Sequence, residues 1–187
     1  GLTINRDILF DVAIAGPIAG LIIAIIVSMF GAYTSPEISN ELADELFKDS
    51  QLTKMNMPIL MSISLDIFDK GGKDKEVIMS PILFAAWLGF LITFLNLLPA
   101  WQLDGGHMAR SLFGKKWHKI ATYASMGVLA VLGYWFMALF ILLLSSRSRD
   151  ARPLDDISPL TKNRKKMFII VIILGVLCAP LPSGILP

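Results

Sequence analysis

The sequence predicts an all-α protein, a polytopic membrane helix bundle with a broken helix near its middle. Three observations lead there. Of the 187 residues, 55% are hydrophobic. Only 17% are charged and the mean hydropathy is +0.65, against about 25% charged in an average soluble domain. The apolar residues also sit in long blocks of membrane-crossing length. A cytosolic enzyme, a disordered tail and a nucleic-acid module fit this composition poorly. Seventeen basic and fifteen acidic residues leave a net charge of +2, too small to imply a polyanionic partner such as nucleic acid. Cys178 is the single cysteine, so no intrachain disulfide can form.

The first block runs from about Ile8 to Ala32. At 1.5 Å per residue it crosses roughly 30 Å of hydrocarbon. It is too long, and its Asp7 and Asp11 too acidic, for a signal peptide. Pro17 is tolerated in a membrane helix whose neighbours satisfy the freed carbonyl. Gly16 and Gly20 form a G-x-x-x-G flanked by Ala15 and Ala19, a face that another helix backbone can approach closely. Asp7 and Asp11 at the helix entry read as favourable charges for its N-terminus. The chain opens on Gly1 rather than Met, and sequence upstream of it is expected.

Residues 33–80 break the composition, with nine acids against five lysines. Glu37–Lys48 reads as a short polar helix. Met55–Phe68 reads as an amphipathic segment too short to span, lying at the interface or re-entering. Lys70-Gly71-Gly72-Lys73 reads as a turn. The second block, Pro81 to about Ala100, begins as a clean apolar helix. It becomes irregular around Asn96, Pro99 and Asp104-Gly105-Gly106. The third, Ile120–Ser146, is either one tilted span or a hairpin folding near Gly133. The last, Met167–Pro187, is expected to leave the helix near Cys178, ahead of Pro180 and Pro182.

Residues 110–119 carry four basic side chains and 147–166 carry seven against three acids. Positive loops mark the cytoplasmic side, which puts these stretches in the cytoplasm and 33–80 outside it. The two ends of 120–146 then need the same side, which favours the hairpin. The expected organisation is a membrane core over 1–119, followed by carboxy-terminal membrane helices over 120–187.

The informative stretch is Asn96-Leu-Leu-Pro99-Ala-Trp-Gln-Leu-Asp104-Gly-Gly-His107. A carboxylate at membrane depth is expensive, by about 2.5–3.5 kcal/mol on lenient scales. It persists when paired, metal-bound or open to water. Pro99, Gly105 and Gly106 interrupt the helix, and irregular backbone at that depth needs cover from protein or a water cavity. An acid, a broken helix and the polar Asn96 within nine residues suggest a functional site. The plainer alternative is that Asp104 caps a helix or pairs with Arg110.

The pattern N-x-x-P-x-x-x-L-D-G-G resembles the second signature of the site-2 protease family of intramembrane zinc metalloproteases. Asp11-Val-Ala-Ile-Ala-Gly16-Pro17-Ile-Ala-Gly20 resembles that family's glycine-proline motif. The two occur in the family's order and spacing, and the resemblance covers residues 1–115. Pro153-Leu-Asp155-Asp156 and the last helix are similar, more loosely, to archaeal members. The resemblance implies hydrolysis of peptide bonds in a membrane-spanning protein substrate, with zinc as cofactor. It makes Asp104 a metal ligand and catalytic residue, and Asn96 the residue that holds the scissile peptide. Gly105 and Gly106 would let the backbone turn, while Gly16, Pro17, Gly20 and Pro99 would shape the site.

One element of the family is missing from these residues. The sequence contains no H-E-x-x-H; its histidines are His107 and His118. One zinc ligand of three is therefore expected here, with the others from upstream of Gly1 or from a separate histidine-bearing subunit. His107 is expected near the site or at the cytoplasmic rim, and His118 among interfacial residues. The rival expectations are a catalytically inactive relative acting as a membrane scaffold or partner-binding protein, and a transporter or channel subunit with Asp104 as an ion site.

Overall fold

A computed structural model describes residues 6–48, 54–147 and 160–180. The chain is mostly helical. The elements in order are α1 (Arg6–Thr34), β1 (Glu37–Ser39), α2 (Asn40–Lys48), α3 (Ile59–Ile67), β2 (Lys75–Val77), α4 (Pro81–Leu97), α5 (Asp104–Val131), α6 (Trp135–Arg147) and α7 (Lys162–Cys178). Pro153, Asp155, Asp156 and Pro182 lie outside the described residues. Among the described residues, α1 is the one helix long and apolar enough to cross a membrane, and α4 is a shorter apolar helix. Pro17 lies inside α1 without ending it.

Two compact units divide the chain: residues 1–19 with 93–176, and residues 20–92 with 177–187. In the second unit, α1 and α4 run antiparallel with their backbones in close approach. A Cβ on Gly31 would lie 2.9 Å from the backbone of Leu83, and one on Gly89 3.2 Å from Ala24 Cβ. Glycine is required at position 31 because the obstacle is main chain. The polar segment between these helices also holds two strands, which the sequence reading did not expect. β1 and β2 pair antiparallel in the register Glu37↔Val77, Ile38↔Glu76 and Ser39↔Lys75. The helix expected over Glu37–Lys48 therefore begins at Asn40. Asn40 anchors it by donating from its backbone N–H to Asp74 and from its side chain to Lys73. Glu37 accepts from the Gly71 N–H, with Lys70 and Lys75 beside it. The expected turn at 70–73 is held by this contact, with Gly71 at φ 74°.

The first unit has its own core: Phe10, Ala13, Leu97, Met108, Ala109, Leu160, Phe168 and Val171. It gathers the start of α1, the end of α4, the first turns of α5, and α7. Phe113 meets Phe168 edge to face, with ring centroids 5.6 Å apart. The N-terminus of α7 carries Lys162, Arg164, Lys165 and Lys166, the unfavourable end of the helix dipole for cations. Asp7 and Asp11 offset this. Asp7 accepts from the Thr161 N–H and hydroxyl, and Arg164 bridges both aspartates. The two acids thus serve α7 rather than only their own helix.

The apolar block 120–146 is interrupted at Gly133 (φ 86°). Tyr134 N–H donates to Leu129 O and Gly133 N–H to Ala130 O, the two bonds of a Schellman motif, which ends α5 on a left-handed glycine. α6 follows at once and contacts α5. Large apolar side chains stay exposed along the helices, among them Val12 (64%), Val131 (87%), Phe136 (77%) and Ile169 (62%).

Candidate active site

The site is built where α4 stops and α5 starts. α4 ends at Leu97 because Pro99 has no N–H to continue the ladder. Ala100 N–H donates to Leu98 O across Pro99, and Leu103 N–H closes a turn on Ala100 O. Inside that turn Trp101 takes a left-handed conformation, φ 44°, which costs a residue with a Cβ about 1–2 kcal/mol. Leu103 is the N-cap of α5 and its carbonyl accepts the His107 N–H. Asp104 is the first residue of α5, where a carboxylate suits the helix dipole.

Gly105 and Gly106 are demanded by the link that precedes them. A Cβ on Gly105 would collide with the carbonyl oxygens of Leu97 and Leu98. One on Gly106 would collide with those of Ala100 and Trp101. The chain leaving α4 lies directly on the first turn of α5, and only hydrogen fits between.

Asp104 faces α1. A Cβ on Gly16 would lie 3.6 Å from Asp104 Oδ2. Two stretches 88 positions apart in sequence, the glycine-proline element and the Asp-Gly-Gly element, therefore meet at one point. The carboxylate accepts no hydrogen bond and forms no ion pair among the described residues. The alternative pairing with Arg110 is not formed. Pro17 is buried beside Gly16. Asn96 sits in the last turn of α4, half-buried, and its side chain hydrogen-bonds to no described residue. Gly20 falls in the other compact unit.

The profile of peptidase family M50 matches residues 3–140. The chain belongs to that family, the site-2 protease family. Among similar M50 proteins, the probable zinc metalloprotease EGY2, chloroplastic, of Arabidopsis thaliana is 28% identical over 191 residues. That match covers 97% of this chain and 33% of the relative. The probable zinc metalloprotease EGY1, chloroplastic, of the same plant is 26% identical, over 92% of this chain and 32% of the relative. The probable zinc metallopeptidase EGY3, chloroplastic, is 30% identical, over 54% of this chain and 18% of the relative. The chain thus spans about a third of the length of the EGY2 and EGY1 relatives it matches. No solved structure matches it.

The residues present do not make a complete metal centre. Among the described residues no group of three His, Cys, Asp or Glu converges, whereas a catalytic zinc has three protein ligands. His107 lies within electrostatic reach of Asp104, and both histidine rings bond backbone carbonyls. The His107 ring bonds the Gln102 carbonyl. His118 Nε2 donates to the Trp101 carbonyl at 2.9 Å. Thr122, which the sequence reading did not single out, accepts the Trp101 N–H at 3.0 Å. A histidine followed four positions later by a threonine on one helix face was the available signal, and the surrounding lysines obscured it.

Proposed function

We propose that this chain forms part of an intramembrane zinc metallopeptidase that hydrolyses peptide bonds of membrane-spanning proteins. The observation that carries the reading is the Asp104 carboxylate set beside Gly16 with no hydrogen bond or ion pair to a described residue, its one charged neighbour being His107. M50 membership and the zinc metalloprotease names of the relatives support it. Among the described residues no three ligands converge. Asp104 supplies one ligand, with the others from beyond the described residues.

The roles of the chain's own residues follow from their positions. The Asn96 amide, a donor and an acceptor at once, receives the substrate's peptide group. Gly105 and Gly106 hold the Asp104 turn by close approach. The exposed isoleucines, leucines and phenylalanines of α1, α4, α6 and α7 exceed what a water-facing surface carries. They support a multi-pass arrangement in lipid, and the basic residues of 110–119 and 147–166 favour the cytoplasmic side for those stretches, with 33–80 opposite.

Cleavage of a transmembrane reporter by the whole protein tests the reading. Asp104→Ala should abolish both cleavage and bound zinc. Asn96→Ala should keep zinc while lowering cleavage at least ten-fold. Full cleavage by both variants would end the protease assignment. A whole protein that holds no zinc and cleaves nothing would favour the scaffold role.

A further inference from the structure

An uninterrupted helix from Asp104 would carry residue 118 about 21 Å along the axis, away from the turn at Trp101. Yet His118 and Thr122 both bond the Trp101 main chain, one at its carbonyl and the other at its N–H. The difference arises at Gly114. Its φ of 76° and ψ of −176° lie in a region essentially reserved for glycine. The arm that follows folds back over the start of its own helix. Arg110, buried one turn before the elbow, places a guanidinium nitrogen 3.8 Å from a Cβ on Gly114. Thr122 is itself buried and also donates to the His118 carbonyl, which fixes its rotamer.

We propose that Gly114, His118 and Thr122 form a clamp that holds the left-handed Trp101 turn, and that His118 and Thr122 are positioning residues for Asp104. The turn needs such a device. Trp101 sits in an unfavourable conformation, and the two peptide groups that flank its Cα are each bonded to a side chain of a distant turn. Asp104 follows three residues later, so its direction depends on how the Trp101 main chain is held. Because the carbonyl can only accept, the neutral His118 ring carries its proton on Nε2. Neither residue touches Asp104, and neither is a metal ligand in this reading. The catalytic part of the proposal rests on the proposed peptidase function; the clamp itself does not.

The test uses the whole detergent-solubilised protein and two readouts. The first is hydrogen exchange at the Trp101 amide. Thr122→Val, which keeps the shape and removes the acceptor, should accelerate that exchange at least ten-fold. The Val171 amide in the α7 core should be unaffected. Thr122→Ser should restore the slow rate. His118→Ala, which frees the carbonyl instead, should loosen the same amide, and His118→Gln should recover part of the loss. An unchanged Trp101 rate in Thr122→Val would overturn the clamp. The second readout is reporter cleavage. Thr122→Val should lower kcat about ten-fold at unchanged KM, and Thr122→Ser should recover it. A faster Trp101 amide with full kcat would overturn the positioning role. If the wild-type protein cleaves nothing, the function assignment fails while the exchange data still decide the clamp.

Discussion

Gly16 and Asp104 meet with room for one methyl group between them: a Cβ on Gly16 would stand 3.6 Å from Asp104 Oδ2. That is ordinary van der Waals contact, so Gly16→Ala should leave folding and reporter cleavage within about two-fold of wild type. Gly16→Leu must push its extra carbons into the carboxylate. Overpacking of this kind costs about 1–3 kcal/mol, and here part of that cost is displacement of Asp104. The expected result is a loss of cleavage at least ten-fold larger than the loss of folded protein, measured side by side. Equal activity of the leucine variant would mean that the carboxylate is free to move away without consequence.

At Gly105 and Gly106 the obstruction is backbone carbonyl oxygen rather than a movable side chain. Gly105→Ala and Gly106→Ala should each destabilise the protein by about 2–3 kcal/mol, at the upper end of overpacking costs. Thermal unfolding in detergent would read this as a lowered Tm. Gly127 supplies the control, since a Cβ there meets nothing within 4 Å. Gly127→Ala in the interior of α5 should be neutral or stabilising by up to about 1 kcal/mol.

These two cases show what the sequence made legible and what it did not. Asp104, Gly105 and Gly106 stood out because an acid and paired glycines inside an apolar block break local rules visibly. The apolar blocks also foretold α1 and α4, while 120–146 was open to one tilted span or a hairpin near Gly133 and only the basic flanks favoured the hairpin. Glu37–Ser39 was read as helix because Asn40–Lys48 is helical and charged. Its pairing with Lys75–Val77 depends on a partner 38 positions away, which period alone does not reveal. Gly114 was passed over for a similar reason. A lone glycine between Phe113 and Lys115 has no local signature of an elbow, and its role appears only once residues 118 and 122 are seen to reach residue 101. Asp7 and Asp11 likewise looked like acids serving their own helix, whereas their partners lie about 150 residues away.

The β1–β2 hairpin should respond to acid through Glu37. The Gly71 N–H, and then Lys75 and Lys70, hold its carboxyl below the ordinary value of 4.5. A depressed folded-state pKa means the carboxylate stabilises the hairpin above about pH 4.5, and that contribution is lost as the pH falls through the lower folded value. The Gly71 amide chemical shift should therefore titrate with a midpoint below 4.5. In Glu37→Gln the step should vanish while the shift at neutral pH already resembles the acid form. A midpoint above 4.5 would show that burial outweighs the amide and the two lysines.

Arg164 joins α7 to α1 through both aspartates. It lies 3.0 Å from Asp7 Oδ2, and its Nε donates to Asp11 Oδ1 at 2.8 Å. The side chains are a quarter to a half exposed, so each pair is worth only about 0.2–1 kcal/mol. Arg164→Ala should thus lower stability by about 1 kcal/mol, and high salt should weaken the effect. Asp7→Ala removes something different, the acceptor for the Thr161 N–H at the start of α7, a loss that salt should not screen. The two substitutions share one contact, so the double variant should lose less than the sum of the singles. Strict additivity in denaturant unfolding would show that Asp7 acts through Thr161 alone, with Arg164 held by Asp11.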